Sequence, residues 1–124
     1  HINFVKDAMY SSSNEPGGTS YRSRLEDKKF TFAGKTGSSQ IKRFTEAQRE
    51  AEVKQEDLEY KNRDHALFVA FAPVTNPQYA ISVVVEHGGS GSKAAAPIAK
   101  QVIKKTIERH ELRQKTINLG GEEI

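Results

Sequence analysis

The chain has 124 residues, 35% hydrophobic and 28% charged, which is room for one ordinary domain with a core. With no cysteine it can hold no disulfide, no thiolate metal site and no cysteine nucleophile. Nineteen Lys and Arg against sixteen Asp and Glu leave a net charge of +3. The two signs are interspersed, as on a solvated surface.

Residues 1–10 place Ile2, Val5 and Met9 on one helical face, with Phe4 and Ala8 beside it. They read as the end of a helix. The chain opens on His1 and its single methionine is Met9, so a processed product or a fragment is expected. Residues 11–24 contain Ser11-Ser12-Ser13-Asn14 and Pro16-Gly17-Gly18-Thr19, which is loop chemistry. Phe30-Thr31-Phe32-Ala33 is a short β-type run leading into Gly34-Lys35-Thr36-Gly37-Ser38-Ser39-Gln40. From 42 to 64 the composition shifts to six basic and seven acidic residues, an exposed insertion predicted to be partly helical around 45–59.

Residues 66–72 and 79–85 are apolar on both faces and are joined by the turn Val74-Thr75-Asn76-Pro77-Gln78. This predicts an antiparallel hairpin with helices covering both sides. A flexible link over 87–92 precedes a helix at about 94–112. Its stripe is Ala95, Ile98, Ala99, Val102, Ile103 and Ile107, with Lys100, Lys104, Lys105, Glu108 and Arg109 facing away. Pro97 falls in its first turn. The tail at about 114–124 is expected to be frayed. The fold class is therefore α+β: a small antiparallel sheet of about three strands flanked by helices. No run approaches the ~18 apolar residues of a membrane span.

Gly34-Lys35-Thr36 is a poor phosphate-binding loop, because Lys29 stands where that motif needs a glycine. Lys35-Thr36-Gly37 after a strand has a better match in the third motif of the penicillin-reactive serine acyl-transferases. Ala33-Gly34-Lys35-Thr36-Gly37-Ser38-Ser39-Gln40 resembles the Ala-Gly-Lys-Thr-Gly-Thr-Ala-Gln run of class B penicillin-binding proteins. Gly18-Thr19, followed by Arg22 or Arg24, is similar to their Gly-Thr-Ala element. Arg63-Asp64-His65-Ala66-Leu67-Phe68, Phe71-Ala72-Pro73, Val84-Val85-Glu86-His87-Gly88-Gly89 and Ala94-Ala95-Ala96-Pro97-Ile98-Ala99 resemble the penicillin-binding protein 2 subgroup in the same order. The likeness spans about residues 4–106 and departs at Ser38-Ser39, where Thr-Ala is commoner.

The resemblance implies the C-terminal part of a D,D-transpeptidase domain that cross-links peptidoglycan stem peptides. By the same resemblance, Lys35 supplies positive charge to the site and helps hold the substrate's terminal carboxylate. The Thr36 and Ser38 hydroxyls bind that carboxylate. Gly37 keeps bulk away so that substrate pairs along the strand, and the Ser38 backbone N–H is an oxyanion donor. It implies no metal or organic cofactor. Expected partners are stem peptides, β-lactams and cell-wall elongation proteins, with a membrane anchor only upstream, at the bacterial inner membrane with the domain in the periplasm.

The family also needs Ser-x-x-Lys and Ser-x-Asn well upstream. Ser12-Ser13-Asn14 is too close to the strand, and Ser39-Gln40-Ile41-Lys42 leaves it. Ser90-Gly91-Ser92-Lys93 comes after it and opens the last helix. None is taken as the nucleophile, so the chain alone is expected to be inactive. His1, His65, His87 and His110 show no metal spacing. Two alternatives stand beside this reading. One is a non-catalytic or β-lactam-sensing homologue. The other is a basic nucleic-acid-binding module, for which only Lys100, Lys104, Lys105 and Arg109 cluster. The two-sided apolar strands also predict self-association.

Overall fold

The structure is a computed structural model, and it describes residues 1–120. Helix α1 spans Ile2–Asn14, strand β1 Ala33–Ser39, helix α2 Glu46–Glu50, strand β2 His65–Ala72, strand β3 Tyr79–Val85 and helix α3 Ala96–Asn118. The strands form one antiparallel sheet in the order β1-β2-β3. The α+β architecture and the 66–72/79–85 hairpin are therefore as read from the sequence. Hairpin register sets Phe68 opposite Val83 and Ala70 opposite Ile81.

The two faces of the sheet differ. Ala66, Phe68, Ala70 and Ala72 of β2 are buried with Ala95, Ala96, Ala99, Ile103 and Ile107, while Ile81, Val83 and Val85 of β3 pack against them. Small residues on β2 and α3 let the helix approach closely, and the large rings fill what remains. Phe32 and Phe68 are fully buried and meet edge-to-face, with centroids 5.9 Å apart. That geometry contributes about 0.5–1.5 kcal/mol beyond area burial. On the opposite face, α1 covers the β1 side only, with Lys6 Nζ 5.7 Å from the Phe71 ring centroid. Val69 and Val84 stay exposed there. Both faces carry a helix, but the second cover is partial.

Several boundaries depart from expectation. Ser11–Asn14 are the last turn of α1, not loop, because Ser13 and Asn14 spend their side chains on the neighbouring strand. The strand begins at Ala33, at the end of the β-type run 30–33, and continues through the polar Lys35–Ser39 because β2 pairs with it throughout. In the insertion only Glu46–Glu50 is α-helical, started by a Thr45–Gln48 capping box. Two short 3₁₀ turns, Gln55–Asp57 and Tyr60–Asn62, follow in place of a longer helix. The link after β3 is not loose: Gly91–Ala95 winds as a π-type turn, with Gly91 and Ala95 buried. Ile98 and Val102 are exposed, so the buried stripe of α3 is Ala96, Ala99, Ile103 and Ile107. Residues 114–118, expected to fray, are helical, and the end of that tail at 121–124 lies outside the described residues.

Candidate functional site

β1 is an edge strand, so the side away from β2 is unpaired among the described residues. Its first two residues, Ala33 and Gly34, are buried, whereas Lys35, Ser38 and Ser39 are exposed and Thr36 and Gly37 half-buried. Lys35, Thr36, Gly37 and Ser38 are thus gathered on one accessible edge, opposite Val69, Phe68, Leu67 and Ala66 of β2.

The buried start is held by hydroxyls. The Gly34 N–H donates to Ser13 Oγ at 2.9 Å, and Ser13 Oγ also lies 2.9 Å from Ser20 Oγ. Asn14 Nδ2 donates to the Phe32 carbonyl at 2.8 Å. Ser12-Ser13-Asn14 therefore works as a fastener between α1 and β1. Gly34 is required by packing, since a Cβ there would sit 2.3 Å from Phe68 Cζ.

Further out, the strand is open. Lys35 Nζ donates to the Thr36 carbonyl at 2.6 Å and makes no ion pair among the described residues. With Met9, Ser12, Thr19 and Val69 it lines a cleft of about 660 Å³ between α1 and the sheet. Thr36 Oγ1 donates to Thr19 Oγ1 at 3.1 Å, and Thr19 Oγ1 is 3.2 Å from Ser12 Oγ. Gly18 allows this approach, because a Cβ there would stand 2.2 Å from the Ser12 carbonyl oxygen. Thr19 carries part of the Gly-Thr-Ala resemblance, which by itself assigns it no role. The hydroxyl relay gives it one, orienting Thr36. A Cβ on Gly37 would meet only Leu67, at 3.4 Å, an ordinary contact.

The remaining serine-lysine copies have other places. Ser90 Oγ and Ser92 Oγ bond each other at 3.0 Å, beside a Gly91 that is pressed onto the Gly37 backbone. Ser39 and Lys42 are exposed or half-exposed beyond the open end of the strand. The arrangement can present a cation, two hydroxyls and free backbone groups to an extended, anionic peptide. Among the described residues it contains no serine paired with a base.

Comparison with known proteins bears on the family and the fold. The penicillin binding protein transpeptidase domain matches residues 1–104. Peptidoglycan D,D-transpeptidase MrdA of Salmonella typhimurium is 35% identical over 99 residues, covering 80% of this chain and 15% of the relative. The Escherichia coli K12 protein of that name is 34% identical over the same share. Among solved structures, penicillin-binding protein 2 of Helicobacter pylori in complex with MreC superposes with a TM-score of 0.66 at 32% identity, over 86% of this chain and 17% of that one. Penicillin-binding protein 2 of Pseudomonas aeruginosa in complex with WCK 5153 gives 0.59 at 35% identity, over 82% and 18%. The chain thus spans 15% of the length of these curated relatives.

Proposed function

The chain belongs to the penicillin binding protein transpeptidase family, and we propose that it supplies the Lys-Thr-Gly edge of a peptidoglycan D,D-transpeptidase. It is one part of a larger catalytic domain, in keeping with its 15% share of its relatives' length. The observation that carries this reading is the open outer half of β1. Lys35, Thr36 and Ser38 are accessible there, and Gly37 is a glycine that the chain's own packing does not require.

The proposed mechanism is acyl transfer. A serine outside this chain attacks the carbonyl of the scissile peptide bond. The C–N bond breaks, and the terminal amino acid leaves as an amine carrying the serine's proton. The resulting acyl-enzyme ester is attacked by the amine of a second stem peptide, which forms the cross-link and frees the serine. The stem peptide lies along β1 as an added strand, with its terminal carboxylate held by Lys35 Nζ and the Thr36 and Ser38 hydroxyls, the Thr36 proton turning from Thr19 to the carboxylate. The Ser38 N–H faces the developing oxyanion, a donor of a kind typically worth ~2.7–4 kcal/mol. Gly37 leaves room for the peptide to approach. Without the nucleophile the 124-residue chain turns over no substrate. β-Lactams occupy the same edge.

The further proposals concern setting. The parent protein is anchored in the bacterial inner membrane with this domain in the periplasm, and it works with cell-wall elongation proteins. The complex of the H. pylori relative with MreC supports that class of partner. No described helix is long and apolar enough to cross a membrane. The family match does not favour the nucleic-acid module. Intact mass of the complete protein after incubation with a β-lactam tests the reading. One covalent adduct per chain is expected. A folded protein with no adduct would shift the function to a non-catalytic homologue.

A further inference from the structure

Asp64, the residue before β2, joins three segments that converge beyond the open end of β1. Its Oδ1 accepts the Ile41 N–H at 3.4 Å, two residues past the end of the strand. Its Oδ2 accepts Gln55 Nε2 at 3.2 Å, while its own N–H donates to Gln55 Oε1 at 2.8 Å. Its carbonyl accepts the Gly89 N–H at 2.9 Å. Both ends of the Gln55 amide are thus used, one on an N–H and one on a carboxylate oxygen. Gly89, at φ +83°, lies against Gln55, where a Cβ would meet Gln55 Cβ at 3.2 Å.

Two arms run from this knot to the functional edge. One is short: Ile41 follows Ser39 and Gln40, and Ser39 pairs with His65, the neighbour of Asp64. The other passes through Gly89 to Gly91. A Cβ on Gly91 would stand 2.7 Å from the Gly37 carbonyl oxygen, 3.0 Å from the Gly37 nitrogen and 2.5 Å from the Leu67 carbonyl oxygen. Gly91 is therefore a backbone wedge under Gly37, two residues on from the tied Gly89. Of the charged insertion, the knot uses Gln55 and Asp64, one of its seven acidic residues.

We propose that Asp64, with Gln55, is a positioning residue for the β1 edge, fixing Gly37 and Ser38 by tying the insertion and the turn after β3 to the strand's end. In its catalytic consequence this rests on the transpeptidase reading above. Small displacements of a positioned group cost up to about 10²-fold in rate, so loss of the tie acts on the chemical step more than on initial binding.

The test uses the complete protein, a fluorescent penicillin and backbone amide exchange. Asp64→Asn can turn a donor toward the Gln55 NH₂ where a carboxylate oxygen accepted, and the two donors then oppose each other. Gln55→Glu combined with Asp64→Asn restores the pairing. The new carboxylate at position 55 accepts from the backbone N–H of position 64 and from the new side-chain amide there. The oxygen of that amide still accepts from Ile41. D64N is expected to slow acylation about 10- to 100-fold with little change in initial affinity. It should also speed exchange at Ile41 and Gly89, whose N–H groups the tie holds. The double variant should recover both readouts, which a generic loss of stability would not do. If D64N does not fold, Gln55→Ala carries the same comparison with wild type.

Wild-type acylation in D64N with faster exchange at Ile41 and Gly89 would overturn the positioning role. A slowed D64N that the double variant does not rescue would overturn the assigned pairing. If the wild-type protein takes no penicillin, the transpeptidase reading fails, and exchange alone decides the tie: unchanged exchange at Ile41 and Gly89 in D64N overturns it, and faster exchange at both sustains it.

Discussion

The inner and outer halves of β1 use glycine for opposite reasons. Gly34 faces the core: a Cβ there would strike Phe68 at 2.3 Å, and its N–H is bonded to buried Ser13. Gly37 stands three residues on, where a Cβ would make only an ordinary contact with Leu67. The first glycine is explained by the chain's own packing. The second is not, and on the proposed reading its smallness serves a ligand that approaches from outside. On that reading, the requirement along one seven-residue strand passes from fold to ligand between Gly34 and Lys35.

Substitutions at the two ends should break that contrast in a set order of stability effects. Gly34→Val forces a branched side chain into the Phe68 ring. Overpacking typically costs about 1–3 kcal/mol, and a 2.3 Å clash puts this change at or above the top of that range. Chemical denaturation or soluble yield should show the loss at once. Ser13→Ala is expected to cost about 1–3 kcal/mol, because the buried Gly34 N–H loses its acceptor. Gly37→Ala should leave stability within about 0.5 kcal/mol, like other substitutions that displace nothing. Yet it should slow β-lactam acylation of the complete protein about tenfold by crowding the approaching ligand. A Gly37→Ala protein as unstable as Gly34→Val would end the distinction.

Lys35→Ala sharpens it from the polar side. Lys35 is exposed and bonds only the neighbouring carbonyl, so unfolding should move by less than about 0.5 kcal/mol. Acylation should fall about 10²-fold, as when a preorganised electrostatic partner is removed. The smallest stability effect is expected at Val84→Thr, on the bare sheet face. Light scattering of the 124-residue chain at high concentration should find association that this change weakens. A folded monomer throughout would remove the self-association proposal.

Much of this was legible in the residues. The hairpin could be read because 66–72 and 79–85 are apolar, rich in β-branched and aromatic residues, and separated by turn residues. The family could be read because the residues around Lys35-Thr36-Gly37, and segments on both sides, resemble one family in order. What stayed hidden was tertiary. Ser11–Asn14 has loop composition, and becomes helix because Ser13 and Asn14 find partners on the strand side rather than only on their own backbone. Lys35–Ser39 has poor strand propensity, and becomes strand because β2 pairs with it. Gly91 reads as a flexible link in sequence. In the structure it is a buried wedge under Gly37, a role that no local pattern signals. The Asp64–Gln55 knot is equally silent, since its partners lie 9 and more positions apart.

Amide exchange at Ser38 in the complete protein, before and after covalent labelling with a β-lactam, tests the central claim most directly. The account predicts that Ser38 exchange slows on labelling as its N–H engages the bound acyl group, while Gly34, already bonded to Ser13, does not change. A protein that is fully labelled yet exchanges Ser38 at the same rate would contradict it, and would place the acyl group away from this strand.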